Sequence, residues 1–233
     1  NRVLGSVSRQ IYHKSMSEVP SQLTRQLAVT IPDAELALTS LPLAPEVSLW
    51  LISDSYPRGR LDDEVARAIL AAPAYWAFCW ASGQVIARWV LRNRERFRGR
   101  SILDFGSGSG VAGIAAHMAG AADVHACDND PAALTATRAN AAHNSVPLTC
   151  HDDLFKINTS FDIVLAADVL YDRDNLPLLE SLRAFAPQVI VADSRVREDR
   201  VQGYEIIHRE TATTVPDLDE SAEYNQVRVY SKI

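Results

Sequence analysis

Cysteine is scarce. Cys79, Cys127 and Cys150 are the only three in 233 residues, an odd number with no metal-ligand spacing. That argues against a disulfide framework and against a cysteine-ligated metal centre, and the thiols read as buried groups of a reducing compartment. No apolar run reaches the roughly 18 residues that a membrane-spanning helix needs, so no membrane partner is expected. Basic charge is in deficit, 23 Lys and Arg against 29 Asp and Glu for a net charge of −6. No basic stripe offsets it, which argues against a nucleic-acid partner. The pattern G-x-x-x-x-G-K-[ST] does not occur, so a nucleoside triphosphate cradle is not indicated. Glycine is thin as well, ten residues in all. The clustering of three of them at Gly106, Gly108 and Gly110 is therefore the feature to explain.

These glycines lie in Ser101–Ala116, SILDFGSGSGVAGIAA. A short apolar run, Ile102 and Leu103, leads to Asp104 and the glycines. Val111, Ile114, Ala115 and Met118 follow, apolar at i, i+3, i+4 and i+7. The pattern predicts a strand, a tight turn and an amphipathic helix whose unpaired N–H groups and positive dipole end face the turn. Counted from Gly106, the third glycine comes one residue early for the dinucleotide fingerprint G-x-G-x-x-G. The motif D-x-G-x-G-x-G, here Asp104, Gly106, Gly108 and Gly110 with Ser107 inside the turn, resembles motif I of the class I S-adenosylmethionine (SAM)-dependent methyltransferases. The competing reading is a glycine-rich connection with no ligand.

Length and composition suit one α/β domain with a sizeable core. Residues 1–15 carry Arg2, Arg9 and Lys14 with no acid. They read as a tag or leader-like segment, with Met16 a candidate start. Residues 16–74 form an N-terminal extension expected to lie over the cofactor cleft. In it Leu27–Ile31 reads as a strand, Glu46–Ile52 as a short helix or strand, and Leu61–Ala72 as a helix with acids in its first turn. Residues 75–233 carry the methyltransferase-like pattern. Ser82 is placed to cap a helix running through Phe97, whose end is rich in arginine. That basic run reads as dipole compensation, with a docking surface for an acidic protein as the alternative.

Strands are expected over Ala122–Cys127, Leu148–His151, Phe161–Ala167 and Val189–Ala192, with helices between them, the first opened by Asp130 and Pro131. Phe161–Ala167 is a near-continuous apolar run, as in a central parallel strand buried on both faces. Gly203–Arg209 and Gln226–Ser231 read as a closing antiparallel pair. Strands alternating with helices predict a Rossmann-like, doubly wound, mostly parallel sheet, and the final hairpin resembles the seven-strand methyltransferase plan.

Ligands bind such sheets at the carboxyl ends of the strands. Asp104, Asp128, Asp168 and Asp193 all stand at predicted strand ends. Asp128 follows the second strand, where a carboxylate can accept both ribose hydroxyls; a simple helix-entry acid is the competing reading. Asn129 is then expected beside the adenine. Asp153 is preferred over Asp152 for the adenine amino group, against a solvated loop pair. Asp168 and Tyr171 form D-x-x-Y in AADVLYD, which resembles the post-II motif of seven-strand protein-lysine methyltransferases. The absence of a Pro-Pro pair there argues against small-molecule and DNA amino methyltransferases.

The segments YWAFCWASGQVIARWVL, LDFGSGSGVAGIAA, ACDNDPAALTATRAN and DIVLAADVLYD, in that order and spacing, resemble the electron transfer flavoprotein β-subunit lysine methyltransferases from about Leu41 to Ser194. Two positions depart from that family: Ala81 replaces the proline of its W-P-G-G-Q segment, and Ser82 replaces the first glycine. The resemblance implies a SAM-dependent protein-lysine N-methyltransferase, with Trp80 walling the cofactor site and Asp168 and Tyr171 acting on the lysine. The implied substrate is the flavoprotein β-subunit, with a ribosomal stalk protein as a second candidate through bacterial relatives. The expected location is the bacterial cytoplasm, or the mitochondrial matrix in a eukaryote. The alternatives are a methyltransferase for another protein residue or a small molecule, and a SAM-binding protein without turnover.

Overall fold

The computed structural model describes residues 19–56, 67, 69, 71, 73–170 and 173–232. The expected leader-like segment and most of the expected helix Leu61–Ala72 fall outside them. The core is a seven-stranded sheet built from β3 (Ser101–Phe105), β4 (Asp123–Cys127), β5 (Thr149–His151), β6 (Ile163–Ala167), β7 (Gln188–Asp193), β8 (Glu205–Thr211) and β9 (Gln226–Lys232). Its spatial order is β5-β4-β3-β6-β7-β9-β8. The strands from β3 to β7 pair in parallel, and β9 enters antiparallel between β7 and β8. This is the sheet expected from the sequence, with strand ends shifted by one or two residues.

Alternation along the strands divides the core between the two faces. Ile102, Ile163, Leu165 and Ile190 face one way, against α2 (Ala81–Arg92) and α3 (Val111–Met118). Leu103, Val164, Ala166 and Val191 face the other way, against Leu179 and Leu182 of α5 (Leu178–Leu182) and the fully buried ring of Tyr230. Residues of both faces in β6 are buried, which is why its sequence reads as an unbroken apolar run.

The extension differs from expectation. Residues Ser21–Thr30 form helix α1, not a strand over Leu27–Ile31. The β-branched residues there favour a strand locally, but Leu23 and Leu27, one turn apart, are both fully buried and tertiary packing decides. Next come the antiparallel strands β1 (Leu36–Ser40) and β2 (Ser48–Ile52). These elements pack on α4 (Pro131–His143) through Trp50, Ile52, Ala133 and Ala136. Asn140 Oδ1 accepts from Trp50 N at 2.7 Å, and Asn144 both accepts from and donates to the Ser48 backbone. None of the described residues of this unit lines the cleft, whereas Tyr75, Trp76 and Trp80 do.

Helix α2 also stops early. Asn93 Nδ2 donates to the Trp89 carbonyl at 2.7 Å and ends the helix at Arg92. The arginines after it have partners within the fold. Arg94 donates to the Met118 carbonyl, Arg96 lies 5.5 Å from the Trp89 ring centre, and Arg100 pairs with Asp162. All of them nevertheless remain exposed to solvent.

Candidate active site

Strand order reverses at β3, so the connections leaving β3 and β6 diverge and leave a crevice at their carboxyl ends. A cavity of about 1060 Å³ opens there, at the upper end of the range for small-molecule sites. A recess of about 40 Å³ adjoins it and shares Trp80, Gly106, Gly108, Ala167 and Asp168 as lining.

The glycine turn forms one wall. Gly106 has φ +66, and a Cβ there would stand 2.7 Å from Val169 Cγ1, so a larger residue would both strain the backbone and clash. Gly110 begins α3 at φ +81 against Thr137. The turn is tied to β4, since Gly106 N and Ser107 N both donate to the Cys127 carbonyl.

Asp128 follows β4 and lines the cavity. Its Oδ2 accepts from Gly108 N at 2.8 Å and its Oδ1 from Asp130 N at 3.0 Å. Burial pushes its carboxyl above the usual range, against these two backbone donors. A carboxylate has about four acceptor positions, so capacity remains for a ligand hydroxyl. Replacing Asp128 with alanine should weaken SAM binding by about 1–3 kcal/mol, because charge-assisted hydrogen bonds are lost and Gly108 loses its anchor. Calorimetry returning the parent affinity would remove Asp128 from the cofactor set.

Asn129 and Asp153 also line the cavity, and so does Asp152. Asp153 Oδ1 accepts from Phe155 N at 2.9 Å and caps a short helical turn. Trp80 lines the opposite side. Its Nε1 donates to the Tyr75 carbonyl at 3.1 Å, and its ring packs against Tyr75 and Phe78.

Two expected cofactor residues border only the recess. The Ser107 hydroxyl pairs with Thr137 Oγ1 at 3.1 Å, on the α4 side. Asp104 is 2% exposed, and its Oδ2 accepts from Gly113 N at 2.8 Å inside α3. Burial raises its carboxyl from 3.8 to about 7. A carboxyl protonated in the folded chain and ionised in the unfolded one makes folding take up a proton. Its contribution to stability therefore falls as pH rises from about 4 to about 7. Asp104→Asn keeps an acceptor for Gly113 without the charge. Its denaturation midpoint should gain on the parent's between pH 5 and pH 8, and a gap that is constant or reversed would contradict this burial cost.

Asp168 follows β6 and sits where the cavity meets the recess. Its backbone is left-handed, with φ +51. Its Oδ1 accepts from the Ser82 hydroxyl at 2.6 Å and its Oδ2 from Ser82 N at 3.2 Å. Burial, and then the neighbouring Asp193, raise its carboxyl to about 7, while Ser82 and Arg195 act the other way. Its expected companion Tyr171 lies outside the described residues. Asp193, the fourth strand-end acid, is fully buried and does not line the cavity. It accepts from Leu170 N, Arg195 N and Val196 N, and so fastens the loops after β6 and β7.

Arg195 went unnoticed in the sequence. It lines the cavity, pairs with Glu220 and lies 4.3 Å from the Tyr224 ring centre. Its position just after the β7 strand-end acid was the available signal. Gln84 was missed too: its amide donates to the Thr213 carbonyl and its Oε1 accepts from Leu43 N. It thereby ties the extension, α2 and the β8–β9 loop together. The thiols of Cys79 and Cys127 are buried, as expected, while that of Cys150 is half-buried. Among the described residues no cluster of metal-binding type occurs, and no helix is long and apolar enough to cross a membrane.

Comparison with known proteins agrees with this architecture. The family model for ribosomal protein L11 methyltransferase (PrmA) matches residues 89–173. The electron transfer flavoprotein β-subunit lysine methyltransferase of Rattus norvegicus is 34% identical over 159 residues, 65% of this chain and 61% of that protein. Its counterpart from Danio rerio is 38% identical over 138 residues, 58% of this chain and 52% of that protein. The chain thus spans about half to three fifths of the length of these relatives. Magnesium protoporphyrin IX methyltransferase from Synechocystis PCC 6803, solved with bound SAM, superposes with a TM-score of 0.52 at 16% identity, covering 74% of this chain and 84% of that one. The fold is that of the class I SAM-dependent methyltransferases, and the likeness to the flavoprotein lysine methyltransferases expected from the sequence is borne out.

Proposed function

We propose that this chain is a SAM-dependent protein-lysine N-methyltransferase and that its substrate is the β-subunit of electron transfer flavoprotein. One observation carries the reading: Asp128, suited to a ribose, and Asp168, suited to an ammonium group, line one cavity across the glycine turn. The names of the relatives support the substrate. The match to the L11 methyltransferase model covers only residues 89–173, from the end of α2 past Asp168; it lends no weight to a ribosomal substrate.

The residues present fit SAM. Asp128 would hold the ribose, Asn129 and Asp153 would flank the adenine, and Gly106, Gly108 and Trp80 would wall the remainder. The recess bordered by Asp104 would take the methionine end. When bound, SAM supplies an electrophilic methyl group on a sulfonium.

A free lysine has a pKa near 10.4, so only about one in ~10³ is neutral at pH 7. Asp168 at about 7 is a far weaker base than that amine, so its role is to dock and aim the amine rather than to deprotonate it. An approaching ammonium stabilises the ionised carboxylate further. Arg195, held back by Glu220, limits the negative charge at the same end of the cavity. Enclosure of the pair supplies proximity and excludes water.

The test is incubation of the purified chain with labelled SAM and purified flavoprotein β-subunit, followed by mass spectrometry. Methylated lysine on that subunit is the expected result. Labelling of small amines or nucleic acid, but never of the subunit, would refute the substrate assignment.

A further inference from the structure

Ser82 makes a contact that a helix start does not require. It is the second residue of α2 and is fully buried. Its backbone N–H alone would satisfy a carboxylate at the helix N-terminus. The hydroxyl adds a second and shorter bond, at 2.6 Å against 3.2 Å, to the other oxygen of Asp168. Both oxygens are thus held by one residue, and in the resembling family a glycine occupies this position. At the other end, the left-handed backbone of Asp168 restricts where its side chain can point.

We propose that Ser82 is a positioning residue for the target amine: its hydroxyl locks the rotation of the Asp168 carboxylate, so that the remaining acceptor positions face the cavity. The inference rests on the reading of Asp168 as the carboxylate that docks the lysine. A hydroxyl donor also favours the charged form of its acceptor. Three other groups face Asp168. Asp193 at the end of β7 opposes its ionisation and Arg195 beyond that strand favours it. The Cys79 thiol ahead of α2 is held neutral, its pKa raised by burial and by Asp168 itself. The Ser82 hydroxyl therefore tips a balance between acid and base neighbours, and a glycine there would leave that balance to Arg195 and the backbone N–H.

The experiment compares Ser82→Ala and Ser82→Gly, which keep the backbone N–H, with the parent and with Asp168→Asn. Transfer of labelled methyl from SAM to the flavoprotein β-subunit is followed across pH, together with SAM affinity and melting temperature. Both Ser82 variants should lose about tenfold in kcat/KM, the size of one hydrogen bond to a charged group. The rising limb of their pH–rate profile should move to higher pH by about one unit, with SAM affinity unchanged. In an Asp168→Asn background Ser82→Ala should cost no more than about twofold, as expected when the two residues act as a unit. A parental pH profile in Ser82→Ala, or the same loss in both backgrounds, overturns the positioning role alone. Near-parental turnover of Asp168→Asn overturns instead the reading of Asp168, and this inference with it.

Discussion

Asp168→Asn should lower methyl transfer to the protein substrate by at least ~10²-fold, the scale of a lost positioning contact, while leaving SAM affinity near the parent's. The isostere preserves shape and can still accept the Ser82 hydroxyl, but it cannot attract an ammonium ion. The parent's kcat/KM should also rise through pH about 7, where the Asp168 carboxyl ionises, and that limb should vanish in the variant. Asp168→Ala should behave differently. It leaves the buried Ser82 hydroxyl and N–H without their acceptor, at a cost of about 1–3 kcal/mol. The contacts of Ser82 make Asp168 a clasp between β6 and α2 as well. Kinetics, calorimetry and melting on the two variants separate the roles. Near-normal turnover in both would remove Asp168 from the catalytic set, and joint loss of SAM binding and activity in the asparagine variant would make it a cofactor ligand.

Asp193→Ala should be the most damaging to stability, at about 3–5 kcal/mol. Three backbone N–H groups, from Leu170, Arg195 and Val196, converge on this one fully buried carboxylate. Removing the acceptor strands all three in the interior, and each buried unpaired donor costs about 1–3 kcal/mol before relaxation. For a chain of this length that corresponds to a fall of about 10 °C in Tm. The loop carrying Arg195 and the turn after Asp168 should loosen together, so activity falls with stability. A melting temperature within about 2 °C of the parent would show that these donors find other partners.

The sequence alone determined the sheet and the place of the site. β6 and β7 were legible because parallel strands buried on both faces leave nearly unbroken apolar runs, and β3 and β4 because the glycine turn and an acid mark where they end. The glycine turn was legible because a backbone that must take positive φ beside Val169 and Thr137 admits little else. What tertiary structure decided was which strand-end acid does what. Asp104, Asp128, Asp168 and Asp193 look alike in the sequence, each following an apolar strand. Only the fold turns Asp104 toward Gly113 and closes three backbone donors around Asp193, while leaving Asp128 and Asp168 at the cavity. The same holds for Ser82, which local pattern marks as a helix start, and for Leu23 and Leu27, whose segment is helical because α4 offers them a surface. Hydrophobic period and backbone strain are written residue by residue along the chain. The partner of a carboxylate lies on an element 86 residues away, as Ser82 does from Asp168, and no local pattern records it.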